Sequence, residues 1–363
     1  MSNIIALNAP PRRQRLSERT GALIDCFARQ RRILDDVFWL KENAELLNIL
    51  ECTGQVVSQD ALSPHGEFYA ALPDRITFFP QYYRFLLSIG LDLEELGMPG
   101  TQMEGLCAWV ADQGLAEAEL SDLQRAEARR LLARRGCATR AADAGLDDRL
   151  RAFINRPATF ALPNKKAAYE LTHIVFYLSE YGRRDPHLDA NALTSLEYAG
   201  ILAHLDQNMD LLAEICVALR QAGQTPSPLW ERAVRTSLAA ISVIETDDVP
   251  LSDAYHEYLV SSWALAAMGG DDSGDAVPRA RCVFLREPAS AGALRPLSAA
   301  LLALTGARNG DWAAMQDSLY AMLDDSAAAV LHDTAEASAR FASFFEGFAR
   351  ASTGCRQSAI RKL

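Results

Sequence analysis

The run Tyr169-Glu170-Leu171-Thr172-His173-Ile174-Val175-Phe176-Tyr177 constrains this chain more than any other stretch. Each α-helical residue advances about 100° around the axis. Leu171, Val175 and Leu178 then share one face, and Tyr169, His173, Phe176 and Glu180 share the opposite one. A surface helix sets Lys, Glu and Gln opposite its apolar stripe. This one sets rings and a histidine there. Both faces are therefore expected to be covered, the second by another packing layer or around a cavity.

Helical periodicity dominates the rest of the chain, and period-2 alternation is scarce. Residues 1–16, with Pro10-Pro11-Arg12-Arg13, read as a flexible arm. An N-terminal helical region follows over 17–145, broken at Gly97-Met98-Pro99-Gly100. A central block over 146–268 holds the doubly covered helix at about 163–181, with Gly182 as its left-handed stop. Two helices then span about 190–222. Leu202, Leu205, Met209, Leu212, Cys216 and Leu219 alternate spacings of 3 and 4, a helix–helix seam. Pro228 suits the first position of a helix over 228–243, and another runs from Asp253 to Gly269-Gly270. Residues 269–279 read as a linker, and Arg281-Cys282-Val283-Phe284-Leu285 is the one strand-like run. A C-terminal helical region over 280–352 is expected to carry helices at 290–307, 311–323 and 325–351, with a frayed tail over 353–363. The expected class is all-α, with antiparallel helix pairs forming an α/α toroid-like or irregular helical-repeat bundle. No fixed repeat period is present.

Composition narrows the function classes. Lys and Arg number 36 against 47 Asp and Glu, a net charge of -11 that repels nucleic acid and anionic lipid at long range. Arg129, Arg130, Arg134, Arg135 and Arg140, with Arg149, Arg151 and Arg156 beyond, form a local basic run. It reads either as a solvated face paired with nearby acids or as a dock for an anionic partner. Seven cysteines are scattered without a Cys-x-x-Cys pair, which suits reduced thiols in a cytoplasmic protein. The N-terminus lacks the basic region of a signal peptide, and no apolar run reaches the length of a membrane span. Phosphate-loop, dinucleotide-binding, serine-elbow and zinc-protease signatures are missing.

Glu170 and His173 stand three residues apart on one helix, close enough to share a metal ion or a proton. With Tyr177 as proton donor they form a candidate catalytic set, His173 acting as general base. Tyr169, Phe176, Tyr255 and Trp263 are candidate walls of a ligand pocket. His173, His256 and Asp206 form a candidate two-histidine, one-carboxylate set for a divalent metal, zinc or iron. Each residue also has a plainer role. Taken singly, His173 reads more readily as a hydrogen-bonded core residue, Glu170 as a partner for Lys166, and Asp210 as a solvated side chain.

The segment Ala168-Tyr169-Glu170-Leu171-Thr172-His173-Ile174-Val175-Phe176-Tyr177, followed by Tyr181-Gly182, resembles a motif of uncharacterised bacterial families. These are domains of unknown function from alphaproteobacteria and, more distantly, actinobacteria. Tyr255-His256 and Trp263 extend the resemblance, which covers about 146–268. It implies a helical fold and carries no activity.

Two functional readings result. The first is a helical scaffold or binding protein whose protein partner docks in a groove or on the arginine run. The alternative is an all-α enzyme working on a small molecule or peptide, by metal-assisted or acid–base chemistry, in a pocket around His173.

Overall fold

The computed structural model describes residues 14–34, 36–139, 144–250, 252–270, 276–287 and 291–351. The arm through residue 13, Arg140, the middle of the 269–279 linker and the 353–363 tail lie outside the described residues. Helix makes up 66% of the structure, and a single two-stranded sheet is the β-structure among the described residues, so the chain is all-α as its periodicity implies.

The chain divides into two compact units, each assembled from separated stretches. The first comprises Met1–Leu115, Leu131–Cys137 and Leu238–Glu287; the second comprises Ala116–Arg130, Ala138–Ser237 and Pro288–Leu363. The 146–268 stretch is thus shared between them.

In the first unit the Leu16–Asp25 helix runs into a π-turn over Cys26–Gln30 and is followed by the Val37–Cys52 helix. Asp36 caps the latter by accepting from Phe38 N at 2.8 Å. Trp39, Phe27, Phe68 and Phe284 are wholly buried around it. Arg31 is buried with them. Its guanidinium donates to Glu42, to Asp253 and to the Cys282 carbonyl, with the Phe27, Tyr255 and Phe284 rings about 5 Å from it. The strand-like run is realised as Cys282–Arg286, paired antiparallel with Ile241–Glu245 so that Val243 faces Phe284. The helix expected to reach 243 instead stops at Ala239. Ile241, Val243 and Ile244 are β-branched, and the partner strand supplies the backbone bonds that local pattern cannot reveal.

In the second unit the Lys165–Leu178, Ala190–Leu205 and Met209–Gln221 helices pack in sequence. Asn164 accepts from Ala167 N and Asn208 from Leu211 N, capping the first and third. All six residues of the 3–4 seam are buried. Helices Leu294–Ala303, Trp312–Tyr320, Asp325–Ala337 and Phe341–Phe348 follow. The single helix expected over 325–351 is broken at Ser338, whose backbone is extended. The Ser338 hydroxyl donates to Glu197 at 2.7 Å and accepts from Arg340 N, a side-chain bond that competes with helix continuation.

Candidate functional site

The Lys165–Leu178 helix is covered on its Leu171, Val175 and Leu178 face, whereas the opposite face, expected to be covered as well, is covered at Phe176 and only partly at Tyr169, His173 and Glu180. From Ile174 to Ser179 every residue is buried, while Tyr169, Glu170 and His173 are half-buried. Its neighbour Met209–Gln221 runs parallel to it, because the side chains that meet keep a constant offset of 41 or 42 residues. Three polar rungs cross this seam. Tyr169 donates its hydroxyl to Asp210 at 2.6 Å, Thr172 donates to Glu214 at 2.6 Å, and Ser179 donates to Gln221 at 2.7 Å.

His173 belongs to the middle rung. Its Nδ1 lies 2.8 Å from the Tyr169 carbonyl and 3.7 Å from the Glu214 carboxylate. A carbonyl only accepts, so Nδ1 carries the proton and the neutral ring keeps its lone pair on Nε2. The side chain is 36% exposed, so Nε2 is within reach of solvent. Phe176 and Tyr177 flank the imidazole at 5.7 and 6.1 Å between centroids. Burial, and then the Asp210 charge, push the Tyr169 phenol well above its ordinary range, so it stays a donor at every physiological pH.

The helix stops earlier than Gly182. Glu180 and Tyr181 already adopt left-handed φ of 49° and 54°, conformations that side chains beyond glycine avoid. Tyr181 stacks on Phe176 at 5.8 Å, and the Arg130 guanidinium sits 4.5 Å over the Tyr181 ring. Arg130 and Arg184 both approach Glu180. These contacts hold a strained turn beside the His173 cluster.

The other expected site residues are distributed as follows. Glu170 lies 3.9 Å from Lys166, and Asp206 pairs with Lys165 at 2.8 Å. Tyr255, His256 and Trp263 belong to the first unit. There Tyr255 donates to Glu45 at 2.9 Å, His256 Nε2 lies 3.8 Å from the same carboxylate, and Trp263 is buried. Among the described residues no group of three or more His, Cys, Asp or Glu side chains could hold a metal ion. Asp210, expected to be solvated, is half-buried and accepts from Tyr169, because the first turn of its helix lies against the neighbouring one. Glu214 was missed. Its signal was a lone carboxylate in the apolar run Leu211-Leu212-Ala213-Glu214-Ile215-Cys216-Val217, and a buried carboxylate needs donors.

Most of the described arginines of the run meet acids, while Arg151 donates to the Pro186 and His187 carbonyls and Arg156 is exposed. Arg129 meets Asp147, Arg134 meets Asp92, Arg135 meets Glu94 and Glu95, and Arg149 meets Asp122.

A second feature lies in the first unit. Pro80 bars the helical conformation from Phe79, so the Leu72–Phe78 helix ends there and a 3₁₀ turn begins. The break leaves Phe78 76% and Phe79 41% exposed. With Tyr82, Leu40 and Leu86 they line a groove of about 410 Å³ that also carries Asp74 and Arg75.

Fold and sites define an all-α helical protein in which no helix of the described residues is long and apolar enough to cross a membrane. The chain belongs to the family described as a domain of unknown function, DUF6902, whose family profile matches residues 1–351. No curated protein and no solved structure matches it.

Proposed function

We propose that this protein is a helical binding protein and that the Phe78–Phe79–Tyr82 groove takes an apolar segment of a partner protein. The observation that carries the reading is the pair of adjacent, solvent-facing phenylalanines at a proline break. Exposed rings gathered around a concave surface mark contact sites, and aromatic residues dominate binding energy when desolvated. Covering about 100 Å² of this ring surface contributes on the order of 2–3 kcal/mol. The acids that meet Arg129, Arg134, Arg135 and Arg149 weaken the case for an anionic partner there, and the six free cysteines among the described residues suit a reducing cytoplasm.

Selection from a displayed peptide library tests the reading. Enriched peptides are expected to carry paired apolar or aromatic anchors and to lose about 10-fold in affinity against Phe78→Asp. Because Phe78 is exposed, the variant should melt like the wild type. Absence of enrichment, or binding that ignores the substitution, would remove the groove from consideration.

A second reading is favoured by one geometric fact, the Nδ1–H bond that leaves Nε2 of His173 at the surface. There His173 is a general base, its ring oriented by the Tyr169 carbonyl, with Glu214 behind it and Tyr177 at its flank. Turnover in a panel of ester and peptide substrates, lost in His173→Gln, would support it. A panel without turnover counts against it.

A further inference from the structure

In the first unit the Cys26–Gln30 π-turn and the Cys282–Arg286 strand meet at a pair of thiols. Three contacts bring the two stretches together. Phe27 lies edge-on to Phe284 at 5.9 Å, Arg281 donates to the Gln30 carbonyl at 2.7 Å, and Arg31 donates to the Cys282 carbonyl at 2.7 Å. The Arg31 backbone N–H also closes the π-turn on the Cys26 carbonyl at 3.1 Å. One arginine thus holds the backbone of both cysteines, and their thiols hydrogen-bond to each other. Both side chains are wholly buried and free of any disulfide.

A buried cysteine ordinarily fills space and is inert. This pair differs because each sulfur has the other as its partner, with a guanidinium beside them. At rest Cys282 donates to the Ala280 carbonyl at 3.2 Å. When it ionises, the Cys26 thiol and the Arg31 charge become its partners, and they hold it below the usual thiol range. The same thiol–thiol bond, with burial, pushes Cys26 up, so Cys26 keeps its proton. A thiolate beside a protonated thiol is the arrangement in which one sulfur attacks and the other resolves. Cys282 is also the sulfur nearer the surface in sequence, since Arg281 before it is exposed.

We propose that Cys26 and Cys282 form a dithiol site that a small hydroperoxide oxidises to a disulfide. The Cys282 thiolate attacks one peroxide oxygen, the O–O bond breaks, and hydroxide leaves. Cys282 is then a sulfenic acid. The Cys26 sulfur attacks the Cys282 sulfur, the S–O bond breaks, and the hydroxyl takes the Cys26 proton to leave as water. Two thiols and one hydrogen peroxide thereby give one disulfide and two waters. Closing the S–S bond to about 2 Å asks for a side-chain rotation, and the backbones are already held together by the three contacts. Neither the groove nor the His173 cluster takes part, so the proposal stands apart from both.

Hydrogen peroxide added to the folded full-length chain tests it. Free thiols are then blocked in acid urea, and the chain is digested with trypsin for mass spectrometry. The expected product joins Thr20–Arg29 to Cys282–Arg286, lighter than the two separate peptides by two hydrogen atoms, and dithiothreitol splits it. Cys26→Ser should leave Cys282 as a sulfenic acid that dimedone traps, and Cys282→Ser should leave Cys26 a free thiol. Should either variant fail to fold, the wild-type link decides alone. Both thiols recovered free after overnight exposure to excess peroxide would overturn the proposal. So would a link that forms only in urea, or sulfinic acid at Cys282 beside a free Cys26.

Discussion

At the scale of single residues, the strained Glu180–Tyr181 turn and the buried His65 carry the sharpest consequences. Glu180 and Tyr181 hold positive φ without being glycine. Glu180→Gly and Glu180→Ala both delete the ion pairs to Arg130 and Arg184. Their difference isolates the backbone, and glycine is expected to be the more stable by about 1 kcal/mol, the reverse of the helix order. Equal stability in urea would show that the turn stores no strain. His65 is wholly buried, its Nε2–H donating to Asn43 Oδ1 at 2.8 Å. Its Nδ1 has no hydrogen-bond partner among the described residues. Burial, with a smaller push from Arg29, lowers its pKa from 6.5 to about 3. The folded state therefore holds the ring neutral. Its stabilising share is complete above pH 6.5 and drains as pH falls toward 3, by about 1.4 kcal/mol per pH unit for one proton. His65→Gln keeps the donor and removes the titration. Its melting temperature should fall less steeply than the wild type's between pH 6.5 and 4, and parallel curves would refute the assignment.

At the scale of elements, the seams are decided by close approach. Gly200 of the Ala190–Leu205 helix faces Trp230, where an added Cβ would lie 2.5 Å from the indole. Trp230 is wholly buried, so it has little room to give. Gly200→Ala is expected to cost about 2 kcal/mol despite the better helix propensity of alanine. Trp230→Leu should itself destabilise, yet make the alanine nearly neutral when the two are combined; additive losses in denaturant would show that the residues do not touch. Element identity was largely legible beforehand. Pro228 marks the first residue of its helix, and the apolar spacing marks the buried faces. The failures share a cause. Ile241–Val243 looked like the end of a helix because the strand partner lies about 40 residues on. Ser338 looked helical because the carboxylate it bonds, Glu197, is 141 residues away.

At the scale of the whole molecule, the family match spans residues 1–351 and so takes in both compact units. In the first unit Arg31 joins distant stretches by donating to Glu42, Asp253 and the Cys282 carbonyl, across separations of 11, 222 and 251 residues. Asp253 also accepts from Phe284 N at 2.9 Å, at the edge of the sheet. Replacing Arg31 by Met leaves the Asp253 carboxylate buried without its cation and should cost about 3–5 kcal/mol. Arg31→Met with Asp253→Asn should recover more than half of that, since the stranded charge is the larger part of the cost. A double variant no more stable than the single would place the loss in the three-ring packing instead.

The sequence by itself determined the all-α class, the buried 3–4 seam and the helix that carries His173. Those depend on periodicity and on side chains within four residues of one another, which are physical properties of a local stretch. Only the tertiary structure decided that Glu214, and not Glu170, stands behind His173, and which acids meet Arg129, Arg134, Arg135 and Arg149. It also decided that two phenylalanines face water and that Lys165 pairs directly with Asp206. Those outcomes depend on register between elements tens to hundreds of residues apart, where loop closure and packing, rather than local preference, select the partner.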